Sequence, residues 1–105
     1  MKYSRCYAPS DALNRFNKVA GNYRLEFMDA SSYVGRQSSG VSRIGSHVRE
    51  HGEDLRCVRF QKDRKNDPCE RYTREDSTLR RLRTQGRPVR NKIHAAMPRS
   101  CPVKR

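Results

Sequence analysis

The segment DPCERYTREDSTLRRLRTQGRP, residues 67–88, carries the strongest structural signal in this sequence. Asp67 suits the N-cap of a helix, a proline follows at the first helical position, and Glu70 stands where it can reach back to the cap. A glycine and a second proline then end the pattern after residue 85. The sequence therefore predicts a helix over residues 68–85.

The side chains of this predicted helix are ordered by charge and by polarity. Its carboxylates lie in the first half and its last turns are rich in arginine, the order that the helix dipole favours. The helix also has a narrow apolar stripe, which Asp76 interrupts and which consists of Cys69, Tyr72, Leu79 and Leu82. A stripe this narrow is compatible with packing against another molecule.

The rest of the sequence predicts a small α+β fold. A short helix is expected over residues 11–20, capped by Ser10 and stopped by Gly21. Residues 23–27 and 55–60 alternate apolar with charged side chains, which is the period of a half-buried strand. These two strands could pair, although a long connection separates them.

The composition is poor in core-forming residues. Leu, Ile, Val and Phe make up 17 of the 105 residues, and the net charge is +13. Apolar content below roughly 20% with a high net charge is typical of disorder, so we expect a partly folded chain. Four segments are predicted: a short helix plus a strand over residues 1–28, a Ser- and Gly-rich flexible linker over 29–54, a strand and a basic helix over 55–86, and a disordered basic tail over 87–105.

The basic charge is concentrated towards the C-terminal end. Residues 77–105 contain nine Lys or Arg side chains and no carboxylate, whereas all eleven acidic residues lie at or before Asp76. Such an excess predicts a polyanionic partner, because bound phosphates relieve the repulsion and release their counterions. Arginine outnumbers lysine by 18 to six, and a guanidinium group can hold a phosphate with two hydrogen bonds. We therefore expect nonspecific nucleic-acid binding, with RNA favoured, through Arg74, Arg80, Arg81, Arg83, Arg87, Arg90 and Lys92.

Two other interpretations fit the same sequence. One is an overlapping reading frame with no evolved function, because an Arg- and Ser-rich composition without tryptophan also arises without selection. The other interpretation is a small adaptor or regulatory protein that docks on a protein partner through Cys69, Tyr72, Leu79 and Leu82.

No catalytic motif is recognisable in the sequence. Gly35 and Gly40 have the spacing of a phosphate-binding loop, but Val41 stands where such a loop requires a lysine. We predict no catalytic activity and no cofactor.

The cysteines and histidines form a weaker pattern. His47 and His51 are spaced for one helix face and could join Cys57 and Cys69 in a His2Cys2 zinc set. The order H-x3-H-x5-C-x11-C matches no common zinc module, so two exposed histidines and two partly buried thiols are the favoured interpretation. We predict no stoichiometric zinc. Because no C-x-x-C pair occurs, the sequence also predicts reduced thiols at all four cysteines, which are Cys6, Cys57, Cys69 and Cys101.

Targeting signals are weak. No stretch approaches the roughly 18 apolar residues needed to cross a membrane, and no signal-peptide core is recognisable, so we expect an intracellular protein. The first 24 residues hold five basic side chains and one acid, with an amphipathic patch at Leu13, Phe16 and Val19. That pattern is typical of an organellar presequence, so organellar targeting is the alternative.

Overall fold

The computed structural model describes residues 3–91 and residue 101, and this part of the chain has the predicted α+β architecture. Its elements in chain order are α1 (Pro9–Phe16), β1 (Gly21–Phe27), β2 (Ser32–Gln37), α2 (Arg43–His51), β3 (Leu55–Lys62) and α3 (Pro68–Thr84). The three strands form one antiparallel sheet in the order β2-β1-β3. Helices α1 and α2 pack on one face of the sheet, and α3 packs on the other.

The two strands predicted from alternation pair with each other, as the sequence suggested. β1 and β3 run antiparallel, with Leu25 opposite Val58 and Tyr23 opposite Phe60. Both strands are longer than predicted, because β1 begins two residues earlier and β3 continues to Lys62. Their apolar side chains share one face of the sheet, so the intervening polar side chains face the other.

The main hydrophobic core lies on the apolar face of the sheet, against α1 and α2. Phe16 stacks on Phe60 with 4.5 Å between ring centroids, and Ile44 of α2 is fully buried. Helix α1 begins at Pro9 and ends at Phe16, so the predicted helix over residues 11–20 was placed too late and Ser10 is not its cap. The other buried members of this core are Ala12, Tyr23, Leu25, Phe27, Leu55 and Val58.

Helix α3 confirms the strongest sequence prediction. The Asp67 carboxylate accepts hydrogen bonds from the backbone N–H groups of Cys69 and Glu70, at 3.0 and 3.4 Å. Such a cap satisfies donors that the first helical turn leaves unpaired. The chain leaves the helix through Gly86, which has a positive φ of 72°, a conformation that glycine adopts without steric cost.

The apolar stripe of α3 is covered by the chain itself. Leu79 and Leu82 each expose about 1% of their surface, and both pack against Val34 of β2. The guanidinium group of Arg36 lies 5.6 Å from the centre of the Tyr72 ring. Leu79 and Leu82 are therefore not exposed to a protein partner: at these two residues the stripe, which the sequence left open to packing against another molecule, packs against the chain itself.

Residues 29–54, predicted as a flexible linker, contain β2 and α2, so that prediction is wrong. The buried side chain of Gln37, at the end of β2, links α1 and the residues after it to α2. Its Nε2 donates to the carbonyl oxygens of Phe16 and Val19 at 2.9 and 2.8 Å, and its Oε1 accepts from the N–H of Ile44 at 3.1 Å. Gln37 thus ties the end of α1 and the residues after it to the start of α2, through hydrogen bonds to backbone groups that would otherwise need other partners.

The first part of the predicted disordered tail is also ordered. Val89 forms a parallel bridge to Ser32, and the Asn91 side chain bonds to both backbone groups of Val34, at 2.9 and 2.8 Å. These contacts cover the outer edge of β2, which would otherwise expose unpaired backbone groups. Apart from Cys101, the remainder of the predicted tail lies outside the described residues.

All four cysteines are in disulfides, so the expectation of reduced thiols is wrong. One disulfide joins Cys6 to Cys57 of β3, and the other joins Cys69, in the first turn of α3, to Cys101. The partners are 51 and 32 residues apart, so only tertiary packing brings them together. The N-terminal segment considered as a presequence is thereby built into the fold. None of the described helices is both long and apolar enough to cross a bilayer.

Candidate nucleic-acid interface

A groove lies between α3 and the polar face of β1 and β3. Strand alternation turns Arg24 and Glu26 away from the main core, towards α3. Arg59 of β3 pairs with Arg24 across the sheet and faces the same way. Arg74 and Arg81 contribute from α3, and the groove encloses about 640 Å³. That volume lies within the usual range for ligand-binding clefts.

The groove carries more positive than negative charge. Two of its side chains, Glu26 and Glu70, are carboxylates, and five are guanidinium groups. The difference leaves an excess of three positive charges, which a phosphate-bearing ligand could balance. We call the site the arginine groove, after its five cations Arg24, Arg59, Arg74, Arg81 and Arg87.

Glu26 is shared by three guanidinium groups. Its oxygens lie 2.6 Å from Nε of Arg59, 3.0 Å from Nη2 of Arg56 and 3.8 Å from Nε of Arg24. Burial alone would raise the pKa of Glu26, but the hydrogen bond from Arg59 and the neighbouring charges hold it below its ordinary value. Glu26 therefore stays ionised at neutral pH, and one negative charge serves three cations.

Arg24 is a partly buried cation with incomplete hydrogen bonding. Its Nε is buried and has no hydrogen-bond partner among residues 3–91 and 101. Burial lowers the pKa of Arg24, Glu26 opposes this effect, and the charges of Arg59 and Arg87 lower the pKa further. An oxyanion in the groove would offset the repulsion between these cations.

Arg81 and Arg87 provide the exposed cations of the groove. Within the part of the chain that the structure describes, neither forms an ion pair with a carboxylate. Hydroxyl groups line the same space, including those of Tyr3 and Thr78, which lie 3.2 Å apart. Exposed guanidinium groups beside hydroxyls are the groups that commonly contact a sugar–phosphate backbone.

The predicted basic residues do not all lie in the groove. Arg80 is on the outer side of α3, with 76% of its side chain exposed, and pairs with Asp76 at 2.9 Å. Arg83 donates to a backbone carbonyl beyond the helix at 3.3 Å. Lys92 lies outside the described residues. The predicted residues that do line the groove are Arg74, Arg81 and Arg87.

Arg90 is engaged within the fold. Its guanidinium group lies 2.8 Å from Asp54 and 3.3 Å from Asp29, and its Nε donates to the hydroxyl of Ser31 at 2.8 Å. The same group sits 3.6 Å from the centre of the Phe27 ring. These contacts fix the segment after α3 to the sheet, so we do not include Arg90 in the interface.

Sequence reasoning missed Arg24 and Arg59 as site residues. Their signal was present, because both alternate with apolar residues in the two predicted strands. The pattern shows that they leave the core face, but not that α3 packs over the opposite face. That packing depends on Val34, which lies in a segment predicted as a linker.

A second cavity, of about 750 Å³, adjoins the arginine groove and shares Glu70 and Arg74 with it. Every aromatic side chain among the described residues is buried or half-buried, and the half-buried Tyr7 lines the second cavity. The second cavity extends the basic surface with Arg15, Lys62, Arg64 and Lys65.

The His2Cys2 zinc set considered from the sequence is not formed in the structure. Cys57 and Cys69 are both in disulfides, so neither sulfur is a thiolate that could bind zinc. His47 and His51 do lie together on α2, with ring centroids 5.6 Å apart. The half of the prediction that placed both imidazoles on one helix face is therefore confirmed, and the His2Cys2 grouping is wrong.

Comparison with known proteins finds no counterpart. No protein-family model matches this sequence, and neither a curated protein nor a solved structure does.

Proposed function

We propose that this protein binds nucleic acid nonspecifically through the arginine groove, with RNA as the preferred partner. The observation that carries the proposal is the convergence of five guanidinium groups, from two strands, a helix and the segment after it, on a space with two carboxylates. Guanidinium groups form strong charge-assisted hydrogen bonds to phosphate oxygens. Because strands and a helix fix their spacing, the cluster suits a regular phosphate backbone.

The same geometry supports binding without sequence preference. Phosphate contacts set the register of a bound strand but carry no sequence information. Base stacking needs open aromatic rings, and the aromatic side chains of the described residues are all buried or half-buried. The hydroxyls of Tyr3, Thr73 and Ser77 line the groove and favour RNA, because a ribose 2′-hydroxyl can both donate and accept hydrogen bonds.

The binding role needs no catalysis. Glu26 and Glu70 are the carboxylates of the groove, and each is paired with arginine, Glu26 with Arg59 and Glu70 with Arg74. Glu26, whose pKa the hydrogen bond from Arg59 and the neighbouring charges hold below its ordinary value, is a weak proton acceptor for the hydrolysis of RNA. We expect RNA incubated with the protein to stay intact, as measured by gel electrophoresis. Cleavage that disappears in a Glu26→Gln variant would contradict this.

We also propose that the protein works in an oxidising compartment. Disulfides persist where cellular reductants do not reach them and are rare in the cytosol. Two disulfides therefore favour such a compartment over the reducing location that reduced thiols would have implied. Trapping thiols with an alkylating reagent during extraction from the native source should label none of the four cysteines. Labelling of all four would contradict the proposal.

Equilibrium binding tests the main proposal. Fluorescence anisotropy is measured with several RNA strands of unrelated sequence, and with matched DNA, over a series of salt concentrations. We expect similar affinities for all RNA sequences and a linear fall in log K with log salt concentration, because each phosphate contact releases counterions. No binding at low salt, or an affinity that salt does not change, would refute a phosphate-binding role.

A further inference from the structure

A second cluster of polar side chains lies on α2, in the other layer of the fold from the arginine groove. His47, Glu50 and His51 follow the order i, i+3, i+4, which puts all three on one side of the helix. One nitrogen or oxygen atom from each lies within 4.8 Å of the others. The two imidazole rings are nearly parallel, with 11° between their planes.

One nitrogen of His47 is held and the other is left without a partner. Nε2 lies 3.0 Å from the hydroxyl of Tyr23. Nδ1 is buried and has no hydrogen-bond partner among residues 3–91 and 101. A buried polar atom without a partner costs free energy, and such atoms often mark the place of a bound ion or water. When Nε2–H donates to the tyrosine, Nδ1 presents a lone pair, which is the form that a metal ion requires.

The position of Tyr23 depends on a glycine in the neighbouring strand. Gly35 lies opposite Tyr23 in the β1–β2 pairing, and a Cβ atom there would come within 2.3 Å of the Tyr23 hydroxyl oxygen. The missing side chain thus leaves the space in which the hydroxyl reaches His47. A hydrogen bond of this kind fixes both the orientation and the tautomer of a ligating histidine.

We propose that His47, His51 and Glu50 bind one zinc(II) ion, with water completing the coordination. Two imidazoles and a carboxylate are donors that zinc accepts, whereas magnesium and calcium prefer oxygen ligands alone. Ligands of a tetrahedral zinc ion lie roughly 3.4 Å from one another, so the three side chains need only small rotations to enclose it. Glu50 is exposed, so the ion has access from solvent.

This set differs from the His2Cys2 grouping considered from the sequence, and it replaces the expectation of no stoichiometric zinc, which rested on the spacing of that grouping alone. It keeps the two histidines, replaces both sulfurs with the carboxylate between them, and needs no residue from another element. Tyr23 is a positioning residue, because it acts on the ion only through His47. The His2Cys2 grouping would draw its residues from α2, β3 and α3, whereas the ligands proposed here all lie in α2.

Zinc binding to the oxidised full-length protein tests the proposal. Isothermal titration with zinc chloride, followed by elemental analysis after gel filtration, should find one zinc ion per chain. We expect a His47→Gln, His51→Gln double variant to lose the ion, and Tyr23→Phe to weaken binding about tenfold or more. Glu50→Gln should also weaken binding, because it removes a charged ligand.

Three controls distinguish this site from others. Glu53→Gln removes a carboxylate in the next turn and should bind zinc like the parent, as should His94→Gln, which removes the third histidine. Thermal unfolding checks that each variant is folded, and Glu50→Gln keeps the test informative if the double variant does not fold. Absence of stoichiometric zinc in the parent protein, or a Glu50→Gln variant that binds zinc as tightly as the parent, would overturn the proposal.

Discussion

Removal of the two exposed groove cations should weaken RNA binding more than removal of two other arginines, both on α3. The change is Arg81→Gln with Arg87→Gln, and the control is Arg80→Gln with Arg83→Gln. Both variants lose two positive charges from the same region, so they have equal net charge. Only the first pair lines the groove, whereas Arg80 pairs with Asp76 on the outer side of α3.

The size of the effect follows from the charge count of the groove. Its five guanidinium groups and two carboxylates leave an excess of three charges. At about 0.7 counterions per phosphate contact on a single strand, the groove contributes a slope of roughly −2 to the plot of log K against log salt concentration. Losing two contacts should reduce the slope by about 1.4 units, which at 0.1 M salt is roughly a 25-fold loss of affinity.

Fluorescence anisotropy over a salt series measures both variants against the parent. All four arginines are exposed, so the free energy of unfolding of each double variant, measured by urea titration, should lie within about 0.5 kcal/mol of the parent value. The control should keep the parental slope. Equal slopes for the two double variants would refute the reasoning, because binding would then depend on net charge and not on the groove.

Four further outcomes follow from the fold. Leu79→Ala should lower the free energy of unfolding by about 2–5 kcal/mol, measured by urea titration, because Leu79 is buried against β2. Replacing Cys6 and Cys57 together by serine should cost up to about 4 kcal/mol by the same measurement, since their disulfide closes a long loop. Because the pKa of Glu26 is lowered in the folded state, Glu26 should stabilise the fold at pH values above its unfolded pKa, and this stabilisation should be lost as the pH falls through its folded pKa. In a Glu26→Gln variant, the free energy of unfolding followed by acid titration should lack this loss. Arg90→Gln should lower the melting temperature without changing the salt slope, because Arg90 contacts Asp29 and Asp54 within the fold.

The parts of the fold that could be predicted are those with local signals. Helix α3 has its own cap, its own proline and its own stop, so its bounds follow from the chain around it. The strands β1 and β3 show the two-residue period on their own. Nothing local marks β2, and the partners of this stretch, such as Phe16 for Gln37, are distant in sequence. Helix α2 has local signals in its Ser42 cap and in Gly52 at its end, but the surrounding Ser and Gly residues obscured them.

The sequence predicted only those groove residues that have a local signal. Arg74, Arg81 and Arg87 stood out as members of a basic run. Arg24 and Arg59 are separated from that run by many residues, and only the packing of α3 over the polar face brings them to it. Charge density along a chain therefore indicates a partner class, whereas the groove itself is a product of tertiary structure.

The central claim is that phosphate groups of a nucleic acid occupy the arginine groove. The most direct measurement is the NMR shift of arginine Nε–H resonances as a short RNA is added to the labelled protein. We predict that the resonances of Arg24, Arg59, Arg81 and Arg87 shift together, saturate, and return when salt is raised. Arginines on α2, such as Arg43 and Arg49, lie in the opposite layer and should not shift. Shifts confined to the α2 arginines, or none in the groove at saturating RNA, would contradict the account.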